Sequence, residues 1–353
     1  MRAGGSMPQV SIKSIDQVTR ETLKACGVSE ESTEAILETI HYANRCDIPT
    51  HGIGRLPLYV EKIKAGYFNP KDEVEMVFDS DAVAVLEAHG CFGQVAAKKA
   101  IDLALDKAEK YGIAAVGVRN SNNFGTAGYY GDYAARHGMA AFVFANAAPA
   151  IAPTGGSKTI FGTNPLCFAF PGSDANDPIV LDMATTVAAR SKVRQAARSG
   201  EKIPMDWAIG PDGKPTDDPN EALKGSLLPI AGYKGYGLSL FIDVFAGLLT
   251  GSAYAGEVRP LSEMSQASNN GHLFVVIDTK RFMDSDELNA RVNHFCEAVR
   301  ACGEEGMVML PGEPGYKKMA VQTDAVTISA KQFEAVNEIA EKVGVSARLE
   351  IVV

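Results

Sequence analysis

The apolar residues of this chain change their spacing twice, and that change limits the fold more than any single motif does. Between residues 14 and 46, Ile15, Val18, Leu23 and Cys26, then Ala35, Ile36, Ile40 and Ala43, recur at helical spacing, with Gly27 between the two runs and Ser29 placed as an N-cap before Glu30 and Glu31. Leu56, Tyr59, Val60 and Ile63 predict a third helix over 56–64, stopped by Gly66. After Pro70 the period shortens. Strands are expected at 73–78, 82–87, 113–119, 140–146, 179–183 and 273–277, and helices at 93–111, 127–136, 185–197 and 237–249. A Pro/Gly-rich stretch covers 148–171. Helical spacing returns at 285–301 and 331–343, around a strand expected at 321–328. The plan that follows is a helical domain built from both ends, 7–75 with about 284–353, packed on a central α/β domain at 76–283 that holds the ligands. Residues 1–6 and the final run 346–353 read as additions to the fold rather than parts of it.

Composition narrows the function. With 353 residues, 34 Lys+Arg against 43 Asp+Glu and a net charge of -9, the chain lacks the basic surface that nucleic acid or an anionic membrane requires. Its longest apolar run, 238–249, is too short to span a bilayer and carries Asp243, so a buried helix is expected there. Six cysteines without a CxxC pair suit reduced thiols in the cytoplasm better than disulfides or zinc.

Two common phosphate cradles are missing: no GxGxxG follows a strand, and Gly156-Ser157-Lys158-Thr159 lacks the first glycine of a P-loop. HExxH and GxSxG are missing too. What remains is a set of polar residues at element ends. In Thr50-His51-Gly52-Ile53-Gly54-Arg55, a histidine able to move a proton near neutral pH stands one helical turn from an arginine able to grip a carboxylate. Alternatively, His51 caps a helix and Arg55 belongs to a surface pair. Asn120 to Gly125 lies between a strand and a helix, where ligands approach backbone N–H groups, though an ordinary Asn-rich turn reads the same. Pro153 to Gly156 and Phe161 to Pro165 suggest an irregular pocket wall. Asp182 ends a strand, where it could orient His51 or simply cap the next helix. Lys234, before the apolar helix, could hold a phosphate or stay solvated. His41, His89, His137, His272 and His294 show no ligand spacing and read as structural.

Taken together, THGIGRLPLY, NSNNFGTAGYY, APTGG, FGTNPL, LDMATT, IPMDWAIGPDGKPTDDP, GYKGYGLSLFIDVFAGLLTG, GHLFVVID and PGE resemble, in order from residue 15 to 313, the type 2 malate/L-lactate dehydrogenase family. That family includes ureidoglycolate, sulfolactate and diketogulonate oxidoreductases and cyclic-imine reductases. The resemblance implies an α/β fold of α+β character, with a non-Rossmann NAD(P)-binding domain around a largely antiparallel sheet, flanked by helices from both termini, in a cytoplasmic homodimer. It implies hydride transfer between NAD, with NADP as the alternative, and a small 2-hydroxy or 2-oxo carboxylate. By the same resemblance His51 is the general acid/base, with Thr50 and Asp182 as relay partners. Arg55, Asn123 and Thr163 are the candidates for substrate binding. Phe124, Gly125, Ala147, Asp182, Met183, Ala184, Lys234, Gly235, Gly312 and Glu313 fall on cofactor-contacting motifs. Asn123 departs from the His of many relatives. Because an amide cannot transfer a proton, this puts ureidoglycolate chemistry in doubt and leaves His51 as the acid/base candidate. Arg190-Ser191-Lys192 replaces a commoner glycine-lysine pair. A cyclic-imine reductase and a catalytically silent dinucleotide-binding protein are the other readings.

Overall fold

The computed structural model describes residues 7–352. β1 (Gln9–Ser11) leads into α1 (Ile12–Ala25), α2 (Glu30–Arg45) and, after a short 3-10 turn at Ile53–Arg55, α3 (Leu56–Lys64). The middle of the chain runs β2 (Glu75–Ser80), β3 (Val83–Glu87), α4 (Gly93–Tyr111), β4 (Ile113–Ser121), α5 (Ala127–Arg136), β5 (Met139–Ala145), β6 (Leu166–Phe170) and β7 (Ile179–Met183). A smaller lobe holds α6 (Arg190–Ser199), β8 (Ala208–Ile209), α7 (Pro219–Lys224) and β9 (Ser226–Leu227). Then come α8 (Tyr233–Asp243), β10 (Asn270–Asp278), α9 (Ser285–Arg300), α10 (Glu313–Val321), β11 (Ala325–Thr327) and α11 (Ala330–Lys342).

Seven strands form the central sheet in the order β2-β3-β4-β10-β5-β6-β7. Only β3 and β4 run parallel in it, so the fold is α/β with a mostly antiparallel sheet, as the resemblance implied. Strand residues alternate faces, and β6 shows the consequence: Cys167 and Ala169 are buried while Phe168 and Phe170 are exposed. The covered face carries the alanine-rich α4, whose Ala97, Ala100, Ala104 and Ala108 are fully buried and permit close helix–sheet approach. One apolar core runs from Val10 through these elements to Leu349. α9 packs apart from it, with Val292 and Cys296 against Leu310 and Ile179 of β7. Residues 1–6, read as an addition, lie outside the described residues.

Several expectations need correction. The run from residue 346 is part of the fold: Ala347 and Leu349 are buried, Ile351 bridges Val10, and the Ser11 N–H donates to the Glu350 carbonyl at 2.9 Å. Its apolar positions are too few to show a period. The strand expected at 321–328 shrinks to β11, because α10 continues through Val321. The helix expected from 185 starts at Arg190, since the Thr185 and Val187 N–H groups are given to the Thr163 and Leu228 carbonyls instead of to a helix. β6 emerges from the Pro/Gly-rich stretch as a five-residue strand between breakers. Finally, the expected buried helix is only half buried. α8 and the π-helical turn after it bury Ser239, Ile242, Asp243 and Ala246, while Leu238, Phe241, Phe245 and Leu249 face outward.

Candidate active site

α2 supplies the frame of the site. Its Asn44 side chain accepts a hydrogen bond from the Ile53 N–H at 3.1 Å, which fixes the turn carrying Thr50, His51 and Arg55. Glycine is required at position 52, because an added Cβ would lie 1.8 Å from Asn44 Oδ1. Further along α2, Thr39 packs against Gly125 and the Tyr42 hydroxyl approaches Gly128. One helix thus sets the His51 turn beside the segment that follows β4.

Within the turn, Thr50 Oγ1 lies 2.9 Å from His51 Nδ1, and Arg55 Nε donates to the Thr50 carbonyl. His51 keeps part of its surface open, yet its ring is closely surrounded. Desolvation first, and the positive charge of Arg55 second, lower its pKa to about 3. The imidazole is therefore neutral near pH 7. Desolvation also lowers the Arg55 pKa, with nearby Arg194 adding repulsion. No carboxylate neutralises Arg55 among the described residues.

Asp182 ends β7 on the other side of the α2 frame. Its Oδ2 accepts the Gly128 N–H at 2.8 Å, one of the free donors at the start of α5. An added Cβ at Gly128 would crowd Asp182 Oδ2 to 2.8 Å, so the bare backbone is what permits this bond. Desolvation raises the Asp182 pKa to about 6 despite that bond. The structure joins His51 to Thr50 and Asp182 to Gly128, and shows no hydrogen bond between His51 and Asp182 among the described residues. Asn123 Oδ1 accepts the Gly125 N–H at 3.3 Å, which leaves the amide NH2 free to donate. Behind it Phe124 is buried and stacks on His272, with centroids 4.6 Å apart and planes 2° apart.

The remaining sequence-derived residues fall into two groups. Ala147 N–H donates to Asn164 Oδ1 at 2.9 Å, Asn164 Nδ2 donates to the Ser239 carbonyl of α8 at 2.8 Å, and the Thr163 carbonyl accepts from the Thr185 hydroxyl at 3.0 Å. This ties Ala147, Thr163 and the residues after Met183 and Ala184 to α8. Lys234 is exposed in the first turn of α8, beside buried Gly235. The Gly312–Glu313 turn lies against β7, with the Val180 N–H donating to the Pro311 carbonyl at 3.0 Å. Although partial burial opposes it, the Arg300 guanidinium holds the Glu313 carboxyl below its ordinary range. Asn44 and Asn164 were missed as positioning residues. Asn164, with its φ of 27°, sat in plain view within the FGTNPL segment.

A dinucleotide fits this chain's residues near α8. The Lys234 ammonium is exposed at the helix start, where the Lys234 and Gly235 N–H groups are already given to the Ala231 and Ile230 carbonyls. Added Cβ atoms at Gly232 and Gly237 would meet nothing within 4 Å, which marks open space beside that ammonium.

The turn at 50–55 thus sets a neutral histidine beside an arginine with no carboxylate partner among the described residues, in an α/β fold with a mostly antiparallel sheet. The profile of the family described as malate/L-lactate dehydrogenase matches residues 10–337. The chain is 36% identical over 337 residues to L-sulfolactate dehydrogenase of Methanothermobacter thermautotrophicus, covering 95% of this chain and 97% of that one. It is likewise 36% identical to malate/(S)-sulfolactate dehydrogenase of Methanothermus fervidus, covering 92% and 94%. The solved sulfolactate dehydrogenase of Methanocaldococcus jannaschii superposes with a TM-score of 0.89 at 34% identity, covering 96% and 98%. The chain belongs to the malate/L-lactate dehydrogenase family, and is an oxidoreductase.

Proposed function

We propose that this chain moves a hydride between NAD and a small 2-hydroxy or 2-oxo carboxylate of the malate, L-lactate or sulfolactate type, with His51 as general acid/base. The observation that carries the reading is the pairing of a neutral His51, held at Nδ1 by Thr50, with an Arg55 that spends only Nε on the protein. Nε2 of His51 has no partner among the described residues. The Thr50 hydroxyl serves both directions. In both it accepts from Nδ1–H: the neutral ring offers its Nε2 lone pair to a substrate hydroxyl proton, and the imidazolium so formed gives its Nε2 proton to a developing alkoxide in reverse and returns to the neutral ring. The two terminal nitrogens of Arg55 suit bidentate capture of the carboxylate beside the reacting carbon. Asn123 donates its free NH2 to the substrate oxygen, and Thr163 lines the same wall.

When bound, the nicotinamide cofactor supplies the hydride acceptor or donor. The Lys234 ammonium would hold its phosphates, with Phe124, Gly125, Ala147, Asp182, Met183, Ala184, Gly235 and Gly312 around it. We assign the cofactor as NAD, with NADP as the alternative; Glu313 is already paired with Arg300 and the Leu310 N–H and would sit at the edge of its site. We place the enzyme in the cytoplasm as a homodimer. Support for the dimer comes from the second sheet face, which α8 and the turn after it cover only in part, where Phe142, Phe168, Phe144, Phe245 and Phe241 form a run of neighbouring rings and Phe241 is 59% exposed. The helical layer of 7–75 and 284–352 would then act as one domain behind the site.

Absorbance of reduced nicotinamide tests the reaction, using purified protein, NADH or NADPH, and oxaloacetate, pyruvate, sulfopyruvate, oxoglutarate or a cyclic imine. Turnover of a keto acid is the expected result. Turnover of the imine alone would replace C=O by C=N chemistry, and silence with reduced cofactor still bound would point to a binding protein.

A further inference from the structure

β10 carries a histidine that takes no part in the proposed reaction. His272 is fully buried, and it pairs with Val118 of β4 on one side and Ala145 of β5 on the other. Asn270 pairs with Ser121, so Gly271 alone faces both Arg119 and Asn120, and β4 bulges there by one residue. Asn120 takes up the bulge with a φ of 51°, and an added Cβ at Gly271 would lie 1.7 Å from the Ala246 carbonyl oxygen. Side chains alternate along a strand, so without the bulge Ser121 would point to the face opposite Val118 and His272. With it, Ser121 Oγ stands 3.0 Å from His272 Nε2.

The same ring reaches the turn a second time. Phe124 stacks on His272, with centroids 4.6 Å apart, and on Tyr130 at 5.0 Å, while the Tyr130 hydroxyl donates to the Phe124 carbonyl at 2.7 Å. Asn122 donates to the Gly90 and Cys91 carbonyls at 2.8 and 2.9 Å. Residues 121, 122 and 124 are thus fastened, and His272 touches the turn on both sides of Asn123. Burial keeps the ring neutral by lowering its pKa to about 3, and Nδ1 has no partner among the described residues. An apolar ring would stack on Phe124 without leaving a nitrogen unpaired. What only the imidazole adds is the bond that fixes where the turn begins.

We propose that His272 is a positioning residue: its hydrogen bond to Ser121 and its stack on Phe124 hold the turn so that the Asn123 amide points at the substrate oxygen. The inference rests on the role proposed for Asn123 and names the residue that aims it.

The test is a set of double-mutant cycles on kcat, with saturating NADH and whichever of oxaloacetate, pyruvate or sulfopyruvate wild type reduces. His272→Phe keeps a ring for the stack and removes the bond, and Ser121→Ala removes the same bond from its other end. Each should lower kcat by about 10-fold, and by less than about twofold in an Asn123→Ala background, where the amide to be aimed is gone. Equal factors in the two backgrounds would mean a purely structural role and overturn the assignment, as would an unchanged kcat in Ser121→Ala or in Asn123→Ala. Hydrogen exchange reads the turn without turnover: both variants should speed exchange of the Gly125 amide and leave β7 as in wild type. If His272→Phe does not fold, Ser121→Ala carries both measurements. If wild type reduces no 2-oxo acid, the proposed reaction fails and exchange alone decides, with unchanged protection of Gly125 overturning the assignment.

Discussion

His51 is governed by two neighbours of opposite use. Thr50 hydrogen-bonds its Nδ1, and Arg55 helps to keep it unprotonated. A substrate carboxylate docked on Arg55 cancels the repulsion, so the His51 pKa rises when substrate binds. The sign is fixed: in the oxidative direction the neutral ring is active, and the rate falls as pH drops through that pKa. The acid limb of kcat is therefore expected at higher pH than the acid limb of kcat/KM; the reverse order in full pH profiles would remove Arg55 from control of His51. Replacing His51 by Asn keeps the volume and removes the proton, and should lower kcat by roughly 100- to 10,000-fold while fluorescence titration still detects NADH. Unchanged turnover would take His51 out of the mechanism.

At the scale of elements, the site is assembled by buried amides that bond one segment to another. Asn164 is fully buried and joins the 147 and 163 segments to α8. Asn164→Ala should cost about 1–3 kcal/mol by leaving an N–H and a carbonyl unpaired, seen as a lower midpoint in urea unfolding. A midpoint equal to wild type would mean that water replaces the amide. Such residues explain what the sequence could and could not tell. α3, α4, α5 and β7 were legible to the residue because long apolar periods or clear breakers bound them. His51, Arg55 and Asp182 were legible as chemistry at element ends. Asn44 and Asn164 were not, since their work depends on partners far along the chain. α10 was missed because Pro314 and Gly315 look like a turn, although proline suits the first turn of a helix.

For the whole molecule, two surfaces remain open to experiment. Phe241→Asp on the exposed side of α8 should convert a dimer to monomers in sedimentation, and a mass already monomeric in wild type would refute the homodimer. Removal of residues 346–353 should lower thermal stability, because Leu349 leaves the core and the Asn337 side chain loses the Leu349 N–H at 2.8 Å; an unchanged melting temperature would return that run to the status of an addition. The same closure bears on biosynthesis. Val10 pairs with Val326 and Ile351, so a strand that leaves the ribosome early has its partners at the far end of the message. The sheet and α4 can collapse before the segment from Ala325 to Ile351 has been made, but α1 and α2 gain their last supports only once that segment is available. An incomplete nascent chain thus exposes the helical layer, and chaperones would find their binding surface there.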